Sequence, residues 1–191
     1  LFSHAFNDTW KVRQQLRYSH MRGEARTTTG YLLSPVDMRT WSRTMARGQG
    51  TGATLNVDTQ AIARFNTGAV GHEFLVGFDY LDMRDTYRFA NVIAGVPPLD
   101  LYDPVYGKPR PGVRDLIPRI DALQRTEQSG LYAQDQLSYG AWRLMLGGRY
   151  DRARGTTRNQ LTSGKVAQDD SAFTGRAGLT YVMENGLAPY V

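Results

Sequence analysis

The stretch YAQDQLSYGAWRLMLGGRYDRA, Tyr132 to Ala153, decides the fold of this chain. From Trp142 onward, apolar and polar residues alternate along it. The apolar side carries Trp142, Leu144, Leu146 and Tyr150, and the other side carries Arg143, Met145, Arg149 and Asp151. Successive side chains of a strand point to opposite faces of a sheet. The stretch therefore predicts a strand with one apolar face, aromatic at both ends, and one charged face.

The same period of two recurs along the chain. Further strands are expected near Trp10–Arg22, Gly50–Phe65, His72–Arg84, Gly130–Leu137 and Ala172–Val182, with partial strands at Leu1–Phe6 and from Leu187. This repetition, with hardly a helical stretch between, predicts an all-β protein of about 7–8 strands. Both ends fall inside strand-like patterns and the first residue is not Met, so we expect a piece of a longer chain.

Short and long connections alternate between these strands. Asn, Asp and Gly favour tight hairpin turns, and they mark short joints at Asn7, Asn66, Gly140 and Asn185. Long loops are expected over Arg26–Arg47, Arg88–Gln124 and Gly155–Asp170. In outer-membrane barrels the turns at the periplasmic end are short and the outer loops are long. The alternation favours an antiparallel up-and-down transmembrane β-barrel, and a soluble β-sandwich with variable loops is the alternative.

Aromatic residues on the apolar side support the membrane interpretation. Trp10 and Tyr18 lie eight residues apart, as do Trp142 and Tyr150. Eight residues of about 3.3 Å each, in strands tilted by about 40°, rise about 20 Å, close to the ~25 Å apolar band between aromatic girdles. We therefore expect the apolar face to contact lipid and the charged face to line the lumen. The inward cations would be Lys11, Arg13, Arg17, Arg64, Arg143, Arg149 and Arg176.

Composition argues against several other classes of protein. The chain has no Cys, which excludes disulfides and thiolate metal sites. Its net charge is +5, but the Lys and Arg residues form no dense block of the kind that binds nucleic acid. No apolar run approaches the ~20 residues of a transmembrane helix. The motifs G-x-S-x-G and H-E-x-x-H are absent, and the histidines His4, His20 and His72 lie far apart. We expect no enzyme, no catalytic residue, no cofactor and no metal site.

The longer stretch QSGLYAQDQLSYGAWRLMLGGRYD, Gln128 to Asp151, resembles the barrel signature of TonB-dependent siderophore receptors of the ferrichrome and pyoverdine receptor type. In that family a G-[LV]-Y-x-Q-D-Q strand precedes a turn and an L-x-x-G-x-R-x-D strand. Other segments resemble family strands in the same order, namely FSHAFNDTWKVRQQLRYSH, TGAVGHEFLVGFDY and DDSAFTGRAGLTYVMENGLAPYV. The resemblance covers nearly all of the chain, but the loops Arg26–Arg47 and Arg88–Gln124 match no family pattern.

The resemblance implies a barrel of about 22 strands plugged by an N-terminal domain, of which residues 1–191 are a partial barrel domain without the plug. It implies a receptor in the bacterial outer membrane that imports a ferric siderophore with energy from TonB, which acts through the missing N-terminal region. Its partners would be the ferric siderophore, TonB, outer-membrane lipid and its own plug domain, with no nucleic acid. The alternative is a passive porin or a small structural outer-membrane barrel.

Aromatic and cationic side chains gather in the expected long loops. Such groups can hold a large ferric siderophore, often anionic or rich in oxygen, by stacking and charge attraction. The candidate ligand-binding residues are Tyr31, Trp41, Arg43, Tyr87, Phe89, Tyr102, Tyr106, Lys108 and Arg110. We expect at least one of the aromatic residues to contact the ligand.

Overall fold

The computed structural model describes all residues of the chain, Leu1–Val191, and forms an eight-stranded sheet. The strands are β1 (Phe2–Ala5), β2 (Trp10–Leu33), β3 (Thr40–Thr67), β4 (Val70–Val92), β5 (Leu99–Asp100), β6 (Ile117–Tyr139), β7 (Trp142–Asn159) and β8 (Lys165–Tyr181). One turn of 3-10 helix, Val113–Asp115, is the only helical element. No helix is long and apolar enough to cross a membrane. The all-β prediction is confirmed.

The strands lie side by side in chain order, β1-β2-β3-β4-β6-β7-β8, and each is antiparallel to its neighbour. The short strand β5 lies off this path and pairs with the start of β3. Successive connections of such a meander lie at opposite ends of the sheet. The turns at Asn7, Asn66 and Tyr139 therefore share one end, and the connections near Tyr31, Tyr106 and Ser163 share the other, as predicted.

The strands extend much further than the sequence predicted toward the end of the sheet that carries the connections near Tyr31, Tyr106 and Ser163. β2, β3 and β4 contain 24, 28 and 23 residues, which at about 3.3 Å each exceeds the length that the ~25 Å apolar band requires. The predicted long loops Arg26–Arg47 and Gly155–Asp170 are wrong, because the connections there are only residues 34–39 and 160–164. Hydrophobic alternation ends at the edge of the apolar band, whereas backbone pairing continues beyond it.

The partial strand predicted from Leu187 is present only as the first paired residues beside β8. After β8 the chain turns at Gly186, whose φ is +85°, and returns to form a single bridge between Tyr190 and Thr180. Pro189 accepts a hydrogen bond from the Tyr181 amide but has no N–H to donate, and beyond it Leu179 and Val191 each donate a backbone hydrogen bond to the other. The eighth strand of the sheet is β5, inside the one long connection, residues 93–116.

The register of the pairs separates an apolar face from a polar face. Directly paired residues share a face, so the Leu131–Tyr150–Phe173 row lies on one side and the Tyr132–Arg149–Thr174 row on the other. Two rows of aromatic residues border the apolar face. The outer rim lies toward the end with the connections near Tyr31, Tyr106 and Ser163, and the inner rim lies beside the short turns at Asn7, Asn66 and Tyr139. The outer rim is Tyr18, Tyr80, Tyr150 and Phe173, and the inner rim is Trp10, Phe65, Tyr139, Trp142 and Tyr181. All the predicted inward cations share the polar face.

The long connection packs against the sheet on the side of the apolar face. Met45 and Val92 are paired neighbours on β3 and β4, and Val96 and Leu116 from the connection cover them. These four residues form the buried hydrophobic cluster of the chain. The connection therefore lies outside the predicted lumen rather than across it.

Candidate ligand-binding face

Two of the candidate ligand-binding residues lie on the polar face. Tyr87 pairs with Gly50 and Phe89 pairs with Gly48, both on β3. The Tyr87 ring lies against Gly48, which has no side chain to cover it, and Tyr87 is 47% exposed whereas Phe89 is half-buried. Tyr87 lies seven residues beyond Tyr80 of the outer rim, or about 15–20 Å along a tilted barrel wall. The pair is thus an aromatic surface at the outer end of the polar face.

Trp41 and Arg43 have structural contacts that the sequence did not indicate. The Trp41 indole lies over Gly30, where no Cβ could fit, and its backbone pairs with Leu99 of β5. The Arg43 guanidinium donates a hydrogen bond from Nε to the carbonyl of Pro97 at 2.8 Å. The Trp41 backbone and the Arg43 side chain therefore attach the long connection to β3, and the Trp41 indole packs on β2.

The other candidates lie on or beside the connecting loops. Tyr31, Tyr102 and Tyr106 are 60%, 77% and 70% exposed, and Lys108 is exposed as well. Arg110 donates from Nη1 to Thr28 Oγ1 at 3.1 Å, which attaches its loop to β2. The guanidinium of Arg39 lies 5.8 Å from the centre of the Tyr102 ring. These residues form a surface separate from Tyr87 and Phe89.

A network of polar side chains occupies the middle of the polar face. Arg149 bonds Asp79 at 2.5 Å and Asp151 at 2.6 Å, and its guanidinium lies 5.3 Å from the centre of the Tyr132 ring. The Tyr132 hydroxyl donates to Asp58 at 2.7 Å. The network crosses the sheet from β3 to β7 and ties its strands together.

The network explains the motif that carries the family resemblance. Gly130 leaves the space that the Arg149 guanidinium occupies, and Gly77 leaves the space that the Tyr132 ring occupies. A Cβ at either glycine would collide with that side chain. The G-L-Y and R-x-D elements of the motif therefore serve one contact set, which their separation in sequence does not reveal.

Ion pairs continue the apolar face beyond its outer aromatic rim. Glu24 accepts hydrogen bonds from Arg26 at 2.7 Å and from Arg47 at 2.9 Å. Asp169 accepts from Arg152 and Arg154 in the same way. Bonds from Arg47 and Arg26 lower the pKa of Glu24 to about 2, and bonds from Arg152 and Arg154 lower that of Asp169 to about 2. The bonds from Arg47 to Glu24 and from Arg152 and Arg154 to Asp169 cross between neighbouring strands and join the strand extensions beyond the apolar belt.

We expect these extensions to loosen only in strong acid. The folded pKa values of Glu24 and Asp169 lie below the ordinary carboxyl values, so their contribution to stability is present above about pH 4.5 and is lost as the pH falls toward about 2. The protection factors of amides in the β2–β3 extension of the full-length receptor, which correct exchange for its intrinsic pH dependence, would then be unchanged from pH 6 to about pH 4.5 and lower near pH 2. A Glu24→Gln variant should lose this step in β2–β3. An unchanged step in that variant would contradict the assignment.

The fold and the distribution of residues define a class of protein. A long antiparallel wall with an apolar belt between two aromatic rims and a polar opposite face is the wall of an outer-membrane β-barrel. The family model described as TonB dependent receptor-like, beta-barrel matches residues 1–191, and the chain belongs to this family. The family is one of receptors and transporters of the bacterial outer membrane, which confirms the predicted location.

Curated relatives agree with this assignment. The chain is 34% identical over 194 residues to the ferrioxamine B receptor of Salmonella typhimurium, covering 98% of this chain and 26% of the relative. It is 31% identical over 208 residues to the ferrichrome outer membrane transporter/phage receptor of Escherichia coli K12, covering 99% of this chain and 28% of the relative. The chain thus spans about a quarter of the length of these relatives.

Solved structures show the same fold. The ferripyoverdine receptor of the outer membrane of Pseudomonas aeruginosa, bound to ferripyoverdine, superposes with a TM-score of 0.77 at 18% identity over 98% of this chain and 24% of its own. The ferric-catecholate import receptor Fiu of Escherichia coli K12, in its open form, gives a TM-score of 0.76 at 20% identity over 95% of this chain and 32% of its own. The sheet is therefore one part of a receptor-type barrel wall.

Proposed function

We propose that this chain forms part of the barrel wall of an outer-membrane receptor that imports a ferric siderophore with energy supplied by TonB. The observation that carries the proposal is the match of nearly the whole chain, 98% of it at 34% identity, to a ferrioxamine B receptor. The relative of Escherichia coli is a ferrichrome transporter. Ferrioxamine B and ferrichrome are therefore the first ligands to test.

The polar face supplies the chemistry that the proposal requires. An exposed Tyr87 and a half-buried Phe89 place aromatic rings at the outer end of this face, where a ligand arriving from outside would meet them. Rings of this kind bind large, partly apolar ligands by stacking. Below them the network around Arg149 and Asp79 provides a polar wall against which a plug domain of the same receptor would pack. TonB would act on that plug, and the apolar face would contact outer-membrane lipid.

A passive porin or a small structural barrel is the weaker candidate, because the relatives above are named as siderophore receptors and transporters. We propose no enzymatic activity and no resident cofactor for this wall, and the ferric siderophore enters as cargo.

The experiment that tests the function is uptake of radioactive iron by cells that carry the full-length receptor and lack their own ferrioxamine B and ferrichrome receptors. We expect uptake of one of these two complexes, and we expect it to stop when TonB is removed. Permeability to an unrelated small sugar should stay at the level of cells without the receptor. Iron uptake that persists without TonB, together with entry of the sugar, would contradict the proposal and favour the porin.

A further inference from the structure

One ionisable pair lies within the apolar belt. Asp135 of β6 is paired with Phe74 on one side and Leu146 on the other, and His72 of β4 is paired with Phe65 and Leu137. All of these neighbours are apolar. A carboxylate on a lipid-facing surface is costly, and such residues are rare inside membranes. The position of Asp135 therefore calls for a specific contact.

Asp135 and His72 make that contact with each other. His72 Nδ1 lies 2.8 Å from Asp135 Oδ2, and the two side chains are only 24% and 14% exposed for Asp135 and His72 respectively. The imidazole is stacked on the Phe65 ring, with 4.8 Å between ring centroids and 4° between planes. The bond crosses from β4 to β6, and the stacking extends it to β3.

A contact of this kind matters most for the register of β4 against β6. β3 and β4 are joined by a tight turn at Gly68, and β6 and β7 by one at Gly140, both with positive φ. Tight turns fix the register of the strands they join. β4 and β6 are joined only by the long connection 93–116, at the opposite end from His72.

The hydrophobic pattern does not fix this register either. A slip of one residue would move the apolar residues to the other face, but a slip of two residues leaves every side chain on its own face. In the slip that places Val76 opposite Asp135, His72 would face Tyr139, so the hydrogen bond would be lost and a carboxylate would stand alone in the belt. Loss of a partner is a strong penalty for a charge away from water. The opposite slip would place His72 directly opposite Asp135 and keep the two side chains together, so this pair excludes a slip in one direction only.

A second contact, on the polar face, also opposes a slip of β6 against β4. The Tyr132 ring fits against β4 only where Gly77 offers no side chain. A slip of two residues either way would place Tyr132 opposite Leu75 or Asp79, whose side chains occupy that space.

We propose that His72 and Asp135 are positioning residues that exclude the slip placing Val76 opposite Asp135, and that Tyr132 and Gly77 on the polar face exclude a slip in either direction. The two contacts together fix the register of β4 against β6. Polar pairs in apolar surroundings are best known for this role in specifying register. The proposal concerns the wall itself and does not depend on the ligand.

The test uses paired cysteines, because the 191 residues contain no Cys of their own. Val76 and Ala133 are direct partners, so a disulfide between V76C and A133C reports the native register. A disulfide between F78C and A133C reports the slip of two residues that would place Val76 opposite Asp135. The full-length receptor is refolded in lipid vesicles and oxidised, and the ratio of slipped to native disulfide is measured.

In the receptor with the native residues, and with either contact removed alone, we expect the native disulfide to dominate. With His72→Phe and Asp135→Leu combined with Tyr132→Ala, we expect the slipped-to-native ratio to rise at least about tenfold, the ratio that corresponds to 1.4 kcal/mol. The swapped pair, His72→Asp with Asp135→His, should lower the ratio again in the Tyr132→Ala background.

An unchanged ratio in the combined variant would overturn the proposal, as would a swapped pair that fails to lower a raised ratio. If the combined variant does not fold, the swapped pair in the same background decides. Recovery of folding with the native disulfide would support the role, and failure to recover folding would overturn it.

Discussion

Replacing Val76 by Arg should destabilise the full-length receptor in lipid vesicles by about 2–4 kcal/mol, the cost of an Arg near the bilayer midplane on the lipid face of a barrel. Val76 lies midway along the apolar belt, and its direct partners are Ala61 and Ala133. The nearest carboxylate on that face, Asp135, is diagonal to Val76 rather than directly opposite, and it already bonds His72. The free energy of unfolding from denaturant titrations measures the loss.

The matched control is Met145→Arg. Met145 lies on the polar face, where its direct partners are Gln136 and Gly178. We expect a much smaller loss there, because that face already carries charged and amide side chains. Equal losses in the two variants would refute the assignment of the faces.

For Leu146→Arg we expect an intermediate loss in the free energy of unfolding. The alternation of the sequence alone makes Leu146 as good a test position as Val76. In the structure, however, Leu146 is directly opposite Asp135, so an Arg at this position could bond that carboxylate. We therefore expect Leu146→Arg to cost less than Val76→Arg, and an equal or larger cost would contradict the placement of Asp135.

The fold was predictable to the extent that it depends on local alternation. The faces of β7 follow from the residues after Trp142 because one side must be apolar wherever lipid lies against it. The length of the strands does not follow from alternation, because their outer extensions are joined by ion pairs such as Arg47 with Glu24, which lie 23 residues apart in sequence. The membrane part was therefore predicted correctly, and the extensions were taken for loops.

The contacts of the side chains were predictable only in part, because residues that meet across the sheet lie far apart in sequence. His72 and Asp135 are 63 residues apart, and a single Asp in an apolar series gives no local sign of its partner. Among the candidate ligand-binding residues, the sequence could not separate Tyr87 and Phe89 from Tyr102 and Tyr106. Only the register across β3 and β4 places the first two on the polar face.

The second large effect is expected for ligand binding at Tyr87 and Phe89. Replacing Tyr87 or Phe89 by Ala in the full-length receptor should weaken binding of the ferric siderophore by about 10–100-fold, the range for a buried aromatic anchor of an interface. The Tyr87 ring is exposed and lies against Gly48, and Phe89 is half-buried on the same face, so a ligand on the polar face would stack on these rings. Equilibrium binding of ferrioxamine B and ferrichrome to whole cells, corrected for surface expression, measures the change.

Tyr102→Ala and Tyr106→Ala are the matched controls. Both residues belong to the connection that packs, through Val96 and Leu116, on the side of the apolar face, so we expect at most about a threefold change in affinity from each, within the near-neutral majority of surface truncations. Tyr87→Phe should bind like the native receptor, because it keeps the ring that stacks. Native affinity in both Tyr87→Ala and Phe89→Ala would place the binding surface elsewhere in the receptor. A larger loss at Tyr102 or Tyr106 would instead assign ligand contact to the long connection, because those side chains are accessible without any change in the sheet.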